Sequence, residues 1–367
     1  WLADPRAQVE PFLKGKDANA QFNFYLWNRF QKFGGDPQAA IALDNRRLAS
    51  WGFTTLANWS DDATCKAGRM PYTMRLNPRG PKIDGGLEFS GHINDPFAPE
   101  YAASLKQLAE ACPGMNDPWC IGLFVENEMH WGINQRELGA AVAASSATQP
   151  AKLALREFLK ERHGGDIAKL NATWGTQYAN WDAWLNAKDA KPAPFSWDPR
   201  RRKRADSLPG SDADLEAFSL VVADKHFAVS KAAIKAVDPR MNYLGCRFNG
   251  WAWPGYGDVA VKHCDVVSAN LYHFDIARPE YLSATFSGPF MSTEFHFGYD
   301  DRTLPRLALK QVKDAAGQAA AFTTYVDSAL ANRNCIGVHW FQYTDQPGCG
   351  RSMDGENIQT EIGRAHV

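Results

Sequence analysis

The chain has 367 residues, of which 45% are apolar and 22% charged, and 40 Lys and Arg against 41 Asp and Glu give a formal net charge of -1. A chain of this length can bury a sizeable core in one large domain or two ordinary ones. The near-neutral charge argues against nucleic-acid binding, which usually needs a strong basic excess. No apolar run reaches the roughly 18 residues that span a bilayer, so we expect no membrane contact.

Tryptophan and cysteine are the two informative residue types. The 13 Trp residues fit a thick core and equally fit sugar binding, because aromatic rings stack on the apolar faces of pyranoses. The seven Cys residues form no C-x-x-C pair, and no His cluster occurs at zinc spacing, so we predict no metal site. Cys112 and Cys120 flank a short turn-forming loop, which leaves a disulfide between them open. Cysteine usage therefore does not decide the compartment.

Apolar runs alternate with helical stretches along most of the chain, which is typical of a parallel sheet with crossover helices. Strands are predicted, in chain order, at 22–26, 53–58, 71–76, 120–128, 242–247, 265–272, 289–297 and 335–342. Helices are predicted between them at 37–51, 98–111, 151–163, 213–237 and 305–331. Eight β units joined by helices predict an α/β fold, a (β/α)8 TIM barrel.

The predicted barrel occupies residues 21–357, between a lead-in segment at 1–20 and a tail at 358–367 that resembles a frayed end or vector sequence. Only 25 residues follow the eighth strand, and they show no helical stripe. Either the final helix is missing or the N-terminal segment covers that side. An apolar flank left open there would be buried by a second copy of the chain, so a homo-oligomer stays open.

The longest connection, 129–241, follows the fourth strand. It contains a Trp-rich polar stretch at 173–199, which we interpret as an insertion over the active face. A basic run at 200–204 lies inside it and indicates either a solvated loop or a contact with an anionic polymer.

The carboxyl ends of barrel strands carry the active groups in this fold. The side chains predicted at those ends are Asn58, Trp59, Arg75, Asn127, Glu128, Arg247, Tyr272, His273, Glu294, His296, Trp340 and Gln342. Two of them are carboxylates on the fourth and seventh strands, which face each other across an eight-stranded barrel. An acid at such a position is costly to bury unless it is paired or functional, and pairing of Glu294 with Arg75 or Arg247 is the structural alternative.

Two carboxyl groups that meet over a barrel mouth fit the hydrolysis of a glycosidic bond with retention, in which they stand about 5–5.5 Å apart. Asn127 would then bind a sugar 2-hydroxyl, and Tyr272 would hydrogen-bond the nucleophile. Trp340 would form a floor for the reacting sugar, although Trp59 and Trp340 also fit a plain core role. His273 and His296 fit orienting or sugar-binding roles better than metal ligation, because no second His or Asp completes a site.

Four segments carry a resemblance to a known family: RRLASWGFTTLANWSD (46–61), FVENE (124–128), STEFHFG (292–298) and HWFQYTDQPGCGRSMDGEN (339–357). They resemble the β-agarases of glycoside hydrolase family 50, within the clan of retaining (β/α)8 hydrolases whose two acids lie on strands four and seven. The resemblance covers roughly residues 20–357. One departure is Glu126, where an Asp is expected before the Asn.

The resemblance implies a general acid/base at Glu128, a nucleophile at Glu294 and cleavage of the β-1,4 bonds of agarose or its oligosaccharides. It places Asn127, His296, Trp340, Asp354 and Glu356 in the substrate cleft. It implies no metal or organic cofactor, and a secreted or periplasmic location.

Two alternatives stay open. The first is a hydrolase of the same mechanism acting on another β-galactoside or on a sulfated galactan, which the basic run would favour if it faces the cleft. The second is a non-catalytic, truncated barrel that binds a glycan without cutting it. The sequence does not decide between attack at chain ends and attack within chains.

Overall fold

The computed structural model describes residues 13–14, 21–22, 24–85, 93–132, 134–187, 210–249, 254–276, 288–299, 308–346, 350–351 and 355–362. The described helices are α1 Phe24–Lys32, α2 Pro37–Ser50, α3 Asp62–Lys66, α4 Pro99–Ala111, α5 Glu137–Ala144, α6 Pro150–Arg162, α7 Ile167–Trp174, α8 Trp181–Asn186, α9 Asp212–Val237, α10 Pro254–His263 and α11 Ala315–Ala331. The described strands are β1 Leu13–Lys14, β2 Gln21–Phe22, β3 Tyr72–Leu76, β4 Cys120–Val125, β5 Val267–Asn270, β6 Phe290–Phe295 and β7 Cys335–Trp340.

Four helix predictions are confirmed within a residue or two by α2, α4, α6 and α9. The start of α2 follows from its cap, because Asp36 accepts hydrogen bonds from the backbone N–H groups of Gln38 and Ala39 and Pro37 occupies the first turn. The helix predicted from residue 305 begins instead at Ala315. Asp314 sets that start by accepting from the Gly317 N–H, a stronger signal than an upstream proline.

The strand predicted at 22–26 is wrong. β2 ends at Phe22 and pairs antiparallel with β1, and α1 begins at Phe24. Apolar residues recur at 24, 27 and 30, a three-residue spacing that fits a helix, and the rings of Trp27 and Phe30 stack with centroids 6.3 Å apart. Aromatic content alone suggested a strand there, and the helical spacing prevailed.

The remaining strands are parallel neighbours in chain order. β3 pairs with β4, and β5, β6 and β7 pair in that order. Segment 53–58 joins β3 through the Leu56–Tyr72 bridge, and segment 242–248 joins β4 through Leu123–Tyr243 and β5 through Phe248–Ala269. The fold is therefore mixed α/β with a parallel sheet. The sequence predicts a barrel closed by pairing of its last strand with its first, but among the described residues no backbone pairing joins β7 to segment 53–58.

The connection after β4 is mostly helical where it is described. The 26-residue α9 packs against α4, α5, α6 and α10. Trp174 and Trp184 of the Trp-rich stretch are buried with ring centroids 6.3 Å apart, and Asp214 of α9 accepts from the Trp174 indole N–H at 2.7 Å. The described part of this stretch therefore packs among the helices, with α8 against α6 and Trp174 hydrogen-bonded to α9. The basic run at 200–204 lies outside the described residues.

Two apolar clusters flank the strands. The larger one packs the strands against the helices, and the smaller one, which we call the inner cluster, consists of Phe124, Leu244, Val266 and Met291. Cys112 and Cys120 are free thiols in this structure, and burial raises the pKa of Cys120 to about 12. None of the described helices is both long and apolar enough to cross a bilayer.

Candidate active site

Glu294 near the end of β6 is buried and accepts hydrogen bonds at both carboxylate oxygens. The Trp59 indole N–H donates to Oε1 at 2.7 Å, and the Tyr272 hydroxyl donates to Oε2 at 2.6 Å. Arg247 Nη2 also donates to Oε1 in a buried ion pair. A carboxylate offers acceptors on both oxygens, and all three of these groups are donors. They come from three separate strand ends and fix the direction in which this carboxylate points.

Arg247 connects Glu294 to the end of β4. Its Nε donates to Asn127 Oδ1 at 2.7 Å, and its guanidinium lies 5.1 Å above the Phe124 ring of the inner cluster. The side chain is fully buried, a position that a guanidinium holds only when it is paired, here with Glu294. Burial lowers the pKa of Arg247, and the Glu294 charge opposes that shift.

Glu128 lies on the same side of the structure as Glu294. Asn270 Nδ2 donates to Glu128 Oε1 at 2.9 Å, and Asn270 is held in turn by the Thr293 hydroxyl, one residue before Glu294, at 2.7 Å. Burial raises the pKa of Glu128, and the charge of Glu294 raises it further, while the Asn270 hydrogen bond and the Arg247 charge lower it. The two carboxylates therefore interact electrostatically, and their environments differ: Glu294 is ion-paired with Arg247, whereas Glu128 accepts from the Asn270 amide.

The backbone at these residues is strained. Glu128 has φ 47° and Arg247 has φ 53°, and Glu126 beside them has φ 65°, a left-handed region that non-glycine residues rarely adopt. Hydrogen bonds hold the geometry: the Glu128 N–H donates to the Arg247 carbonyl at 3.1 Å, and the Glu126 N–H donates to the Leu76 carbonyl at 2.9 Å. Strain that the surrounding structure maintains is typical of functional sites.

Trp59 forms a half-exposed wall of the site. The residue is 47% exposed, and the Arg75 guanidinium lies 4.2 Å from the ring centroid. A cation at this distance interacts favourably with the aromatic face and holds the ring in place. Trp59 therefore combines a hydrogen bond to Glu294 with an aromatic surface open to solvent, which is the arrangement that a stacking sugar needs.

The raised pKa of Glu128 predicts a pH-dependent cost in stability. Ionising this carboxyl is harder in the folded protein than in the unfolded chain, so Glu128→Gln is expected to be the more stable protein above the ordinary glutamate value of 4.5. This difference in the free energy of unfolding should vanish well below pH 4.5, grow as the pH rises toward the pKa of Glu128 in the folded protein, and stay constant above it. Thermal unfolding at pH 4 and pH 8 checks this. At pH 8 the Glu128→Gln variant is expected to melt about 1–3 °C above the wild type. Equal melting temperatures at pH 8 would contradict the electrostatic account of Glu128.

The other residues predicted for the site have varied placements. Asn58 precedes Trp59 and has a buried side-chain amide with no hydrogen-bond partner among the described residues. His273 follows Tyr272 and is half-buried. Glu356 accepts from Arg351 Nη2 at 2.8 Å, and its charge contributes to the raised pKa of Glu128. Asp354 lies outside the described residues.

The hydrogen bonds described for His296, Trp340 and Gln342 go to backbone groups, although the His296 ring lies 4.8 Å from the ring of Tyr272, which donates to Glu294. His296 Nδ1 donates to the Phe341 carbonyl and its Nε2 accepts from the Leu309 N–H, both at 2.9 Å, so neither ring nitrogen is free. Burial lowers the pKa of His296 to about 4. The Trp340 indole N–H donates to the Thr360 carbonyl at 2.8 Å, and the Gln342 amide donates to the Thr344 carbonyl at 2.9 Å.

Comparison with known proteins adds an independent line of evidence. No family model matches the chain. The chain is 34% identical over 356 residues to β-agarase B of Vibrio sp. (strain JT0107), covering 92% of this chain and 36% of that protein. It is 31% identical over 338 residues to β-agarase A of the same organism, covering 85% and 32%. Over most of its length, the chain is therefore similar in sequence to two proteins named β-agarases. It spans about a third of the length of the curated relatives that it matches.

Solved structures of agarases resemble the fold. The structure of an exo-β-agarase superposes with a TM-score of 0.83 at 26% identity, covering 98% of this chain and 50% of that one. The crystal structure of another agarase gives a TM-score of 0.82 at 27% identity, covering 98% and 53%. The family resemblance noted in the sequence is therefore confirmed.

Asn270 and His339 are residues near the site that the sequence did not single out. Asn270 ends β5 and is one of the polar residues at strand ends, so the same strand-end reasoning could have found it. Nothing in the sequence favoured His339 over its neighbour Trp340, because Trp is the residue type expected to stack on a sugar. No group of three or more His, Cys, Asp or Glu residues in the described part of the chain is arranged to hold a metal ion.

Proposed function

We propose that the protein is a retaining glycoside hydrolase that cleaves β-1,4 linkages of agarose or its oligosaccharides. The observation that carries the proposal is the asymmetric pair of carboxylates. Glu294 accepts from Trp59, Arg247 and Tyr272, whereas Glu128 lies nearby with a raised pKa and an amide partner. Pushing the protonation equilibria of two carboxyl groups apart is what divides acid and nucleophile roles in glycosidases. Agarose as substrate rests on the family.

The seven neighbouring parallel strand positions support a (β/α)8 barrel as the fold of the catalytic unit. In such a barrel the 129–241 connection is an insertion after β4, the third of these strand positions. The carboxyl ends of the strands then form one mouth, where Glu128, Glu294, Arg247 and Tyr272 meet the substrate. Because a galactan polymer cannot enter a cell, we also propose a secreted or periplasmic location.

The first chemical step assigns one task to each carboxyl group. Glu294 attacks the anomeric carbon and forms a glycosyl ester, while Glu128 donates its proton to the departing glycosidic oxygen. The raised pKa of Glu128 keeps more of it protonated at a given pH than an exposed glutamate would be. Asn127 is positioned by Arg247 through its Oδ1, which leaves its Nδ2 group to bind a sugar hydroxyl.

The second step reverses the role of Glu128. Ester formation removes the negative charge of Glu294, and that charge is the second-largest cause of the raised pKa of Glu128. The pKa of Glu128 therefore falls in the intermediate, which favours its carboxylate form as the base that deprotonates water. Water attack on the same face as the departed group restores Glu294 and gives retention of anomeric configuration.

Trp59 is expected to contribute through both its N–H group and its ring. Trp59→Phe keeps a ring over Arg75 but removes the donor to Glu294, so we expect kcat to fall about tenfold with KM little changed. Trp59→Ala also removes the aromatic wall, so KM is expected to rise as well. Steady-state kinetics on agaro-oligosaccharides separate the two variants. Identical kinetic constants for the Trp59→Phe and Trp59→Ala enzymes would contradict separate roles for the N–H and the ring.

Product analysis tests the proposed function. We expect the wild type to release oligosaccharides from agarose, detected by mass spectrometry, and Glu128→Gln to release almost none. NMR at early times is expected to show the β-anomer first. Cleavage of a sulfated galactan in place of agarose would move the assignment to the alternative substrate class. Binding to agarose without new reducing ends would instead favour a non-catalytic glycan-binding protein.

A further inference from the structure

One nitrogen of Arg247 has no role in the contacts described so far. Nε donates to Asn127 and Nη2 donates to Glu294, but Nη1 is buried and has no hydrogen-bond partner among the described residues. An unpaired donor on a buried cation is costly, more so than an unpaired neutral group. Such groups in native proteins are usually satisfied by an ordered water or a ligand.

His339 on β7 offers a second unpaired group on the same side of the sheet. Gly337 precedes His339 by two residues on β7, so both lie on the same face of the strand. That face is directed toward the inner cluster, because a Cβ atom added to Gly337 would lie 3.8 Å from the Met291 side chain. The inner cluster also contains Phe124, above which Arg247 lies. His339 is buried, and its Nδ1 has no partner among the described residues.

The two unpaired groups interact electrostatically. Burial, together with the smaller effect of the Arg247 charge, lowers the pKa of His339 to about 3. The imidazole is therefore neutral and can accept a hydrogen bond at Nδ1 when Nε2 carries the proton. The other groups whose charges act on Arg247 are Glu294, Glu128 and Tyr272, and Arg75 lies close enough to be affected by it.

We propose that His339 is a positioning residue, which holds Arg247 through an ordered water that accepts from Arg247 Nη1 and donates to His339 Nδ1. The two atoms are not bonded directly, and a water between them satisfies both. The guanidinium is then fixed at all three nitrogens, so that Nη2 keeps its direction toward Glu294. This inference rests on the proposed function, because it concerns the aim of the proposed nucleophile.

Two substitutions at His339 separate the acceptor from the bulk of the ring. Asn places an acceptor oxygen close to the position of Nδ1, whereas Leu fills similar space without one. We expect His339→Leu to lower kcat on agaro-oligosaccharides about 10- to 100-fold with KM within about twofold of the wild type. His339→Asn is expected to recover most of that loss. Leu and Asn variants that are equally slow, or a Leu variant as fast as the wild type, would overturn the proposal.

A double-mutant cycle and a matched control complete the test. Arg247→Lys keeps the charge but lacks Nη1. Adding His339→Leu to this variant should therefore lower kcat by less than about threefold. Additive losses would overturn the proposal. His226 is another buried histidine with an unpaired ring nitrogen, and it contacts Tyr101, outside the carboxylate cluster. His226→Leu is expected to lower the melting temperature without lowering kcat, and an equal loss of kcat there would show that the effect of His339 is merely structural.

A readout without catalysis keeps this inference distinct from the proposed function. A high-resolution crystal structure of the wild type is expected to show one water within hydrogen-bond distance of both Arg247 Nη1 and His339 Nδ1. Absence of that water overturns the inference whether or not the protein cleaves agarose. An inactive wild type that contains the water would contradict the proposed function alone.

Discussion

Replacing Glu294 with Gln is expected to lower kcat on agaro-oligosaccharides by roughly four to six orders of magnitude. An amide is too weak a nucleophile to form the glycosyl ester, and a neutral group no longer stabilises the positive charge that develops on the sugar. The side-chain oxygen can still accept from Trp59 or Tyr272, so the fold should persist. Initial rates of reducing-end release, with circular dichroism as a check on folding, measure the effect.

Glu126→Gln is the matched control for this variant. Glu126 is also a strand-end glutamate with a raised pKa, caused by burial, but it accepts from Asn94 rather than from the residues around Glu294. We expect its loss of kcat to stay within about tenfold. Near-normal turnover by Glu294→Gln, or a collapse of activity in Glu126→Gln comparable to that of Glu294→Gln, would contradict the assignment of Glu294 as the nucleophile.

Glu128→Gln is expected to show a loss that depends on the leaving group. On agaro-oligosaccharides, whose leaving alcohol needs a proton, kcat should fall about 10³- to 10⁵-fold. An aryl glycoside with an acidic phenol leaves without help, so the first step should be nearly normal and a burst of phenol should precede slow turnover. Stopped-flow absorbance measures the burst, and steady-state rates measure the slow phase.

Azide distinguishes loss of the base from a general defect in this variant. As an anion, azide attacks the intermediate without a base, so we expect it to accelerate turnover of Glu128→Gln and to give a β-glycosyl azide. The wild type should gain nothing, because water is already activated there. Equal losses on both substrates, or no response to azide, would contradict the acid/base assignment of Glu128.

The strand-end residues could be predicted because the apolar runs are easy to delimit. Glu128, Glu294, Arg247 and Tyr272 each follow or end such a run, and parallel strands bring their carboxyl ends to one edge. These four residues also make or receive the contacts that define the site. Pairing of Glu294 with Arg247, the structural alternative in the sequence, is present in the structure and is compatible with the proposed nucleophile role.

The face of the strand on which a side chain lies was harder to predict than the position of the strand end. Strand side chains alternate, so an error of one residue moves the assignment to the opposite face. On β7 this separates Trp340, whose ring packs on Phe295 at 5.3 Å, from His339 on the side of the inner cluster. β6 adds an irregular register between Ser292 and Phe295, which local sequence does not reveal.

The remaining differences between the predicted and the observed structure arise from residue spacing and contacts that extend beyond the local segment. Segment 22–26 has the aromatic content of a strand, but its residues 24–26 form the start of α1, because the helical spacing of apolar residues continues to residue 30. The pairing of Asn270 with Glu128 joins positions 142 residues apart, and no local pattern specifies it. The proposed reaction class therefore follows from strand ends and the family resemblance, whereas the hydrogen bonds that tune each carboxyl group require the three-dimensional structure.

Trapping the covalent intermediate tests most directly whether two acids from distant parts of the chain share one reaction. A 2-deoxy-2-fluoro galactoside with a good leaving group forms the glycosyl ester quickly and loses it slowly, because fluorine destabilises the positive charge that develops in both steps. Peptide mass spectrometry after digestion at low pH should locate the sugar on Glu294. A label on Glu126 or Glu128, or hydrolysis of agarose with inversion and no label at all, would contradict the account.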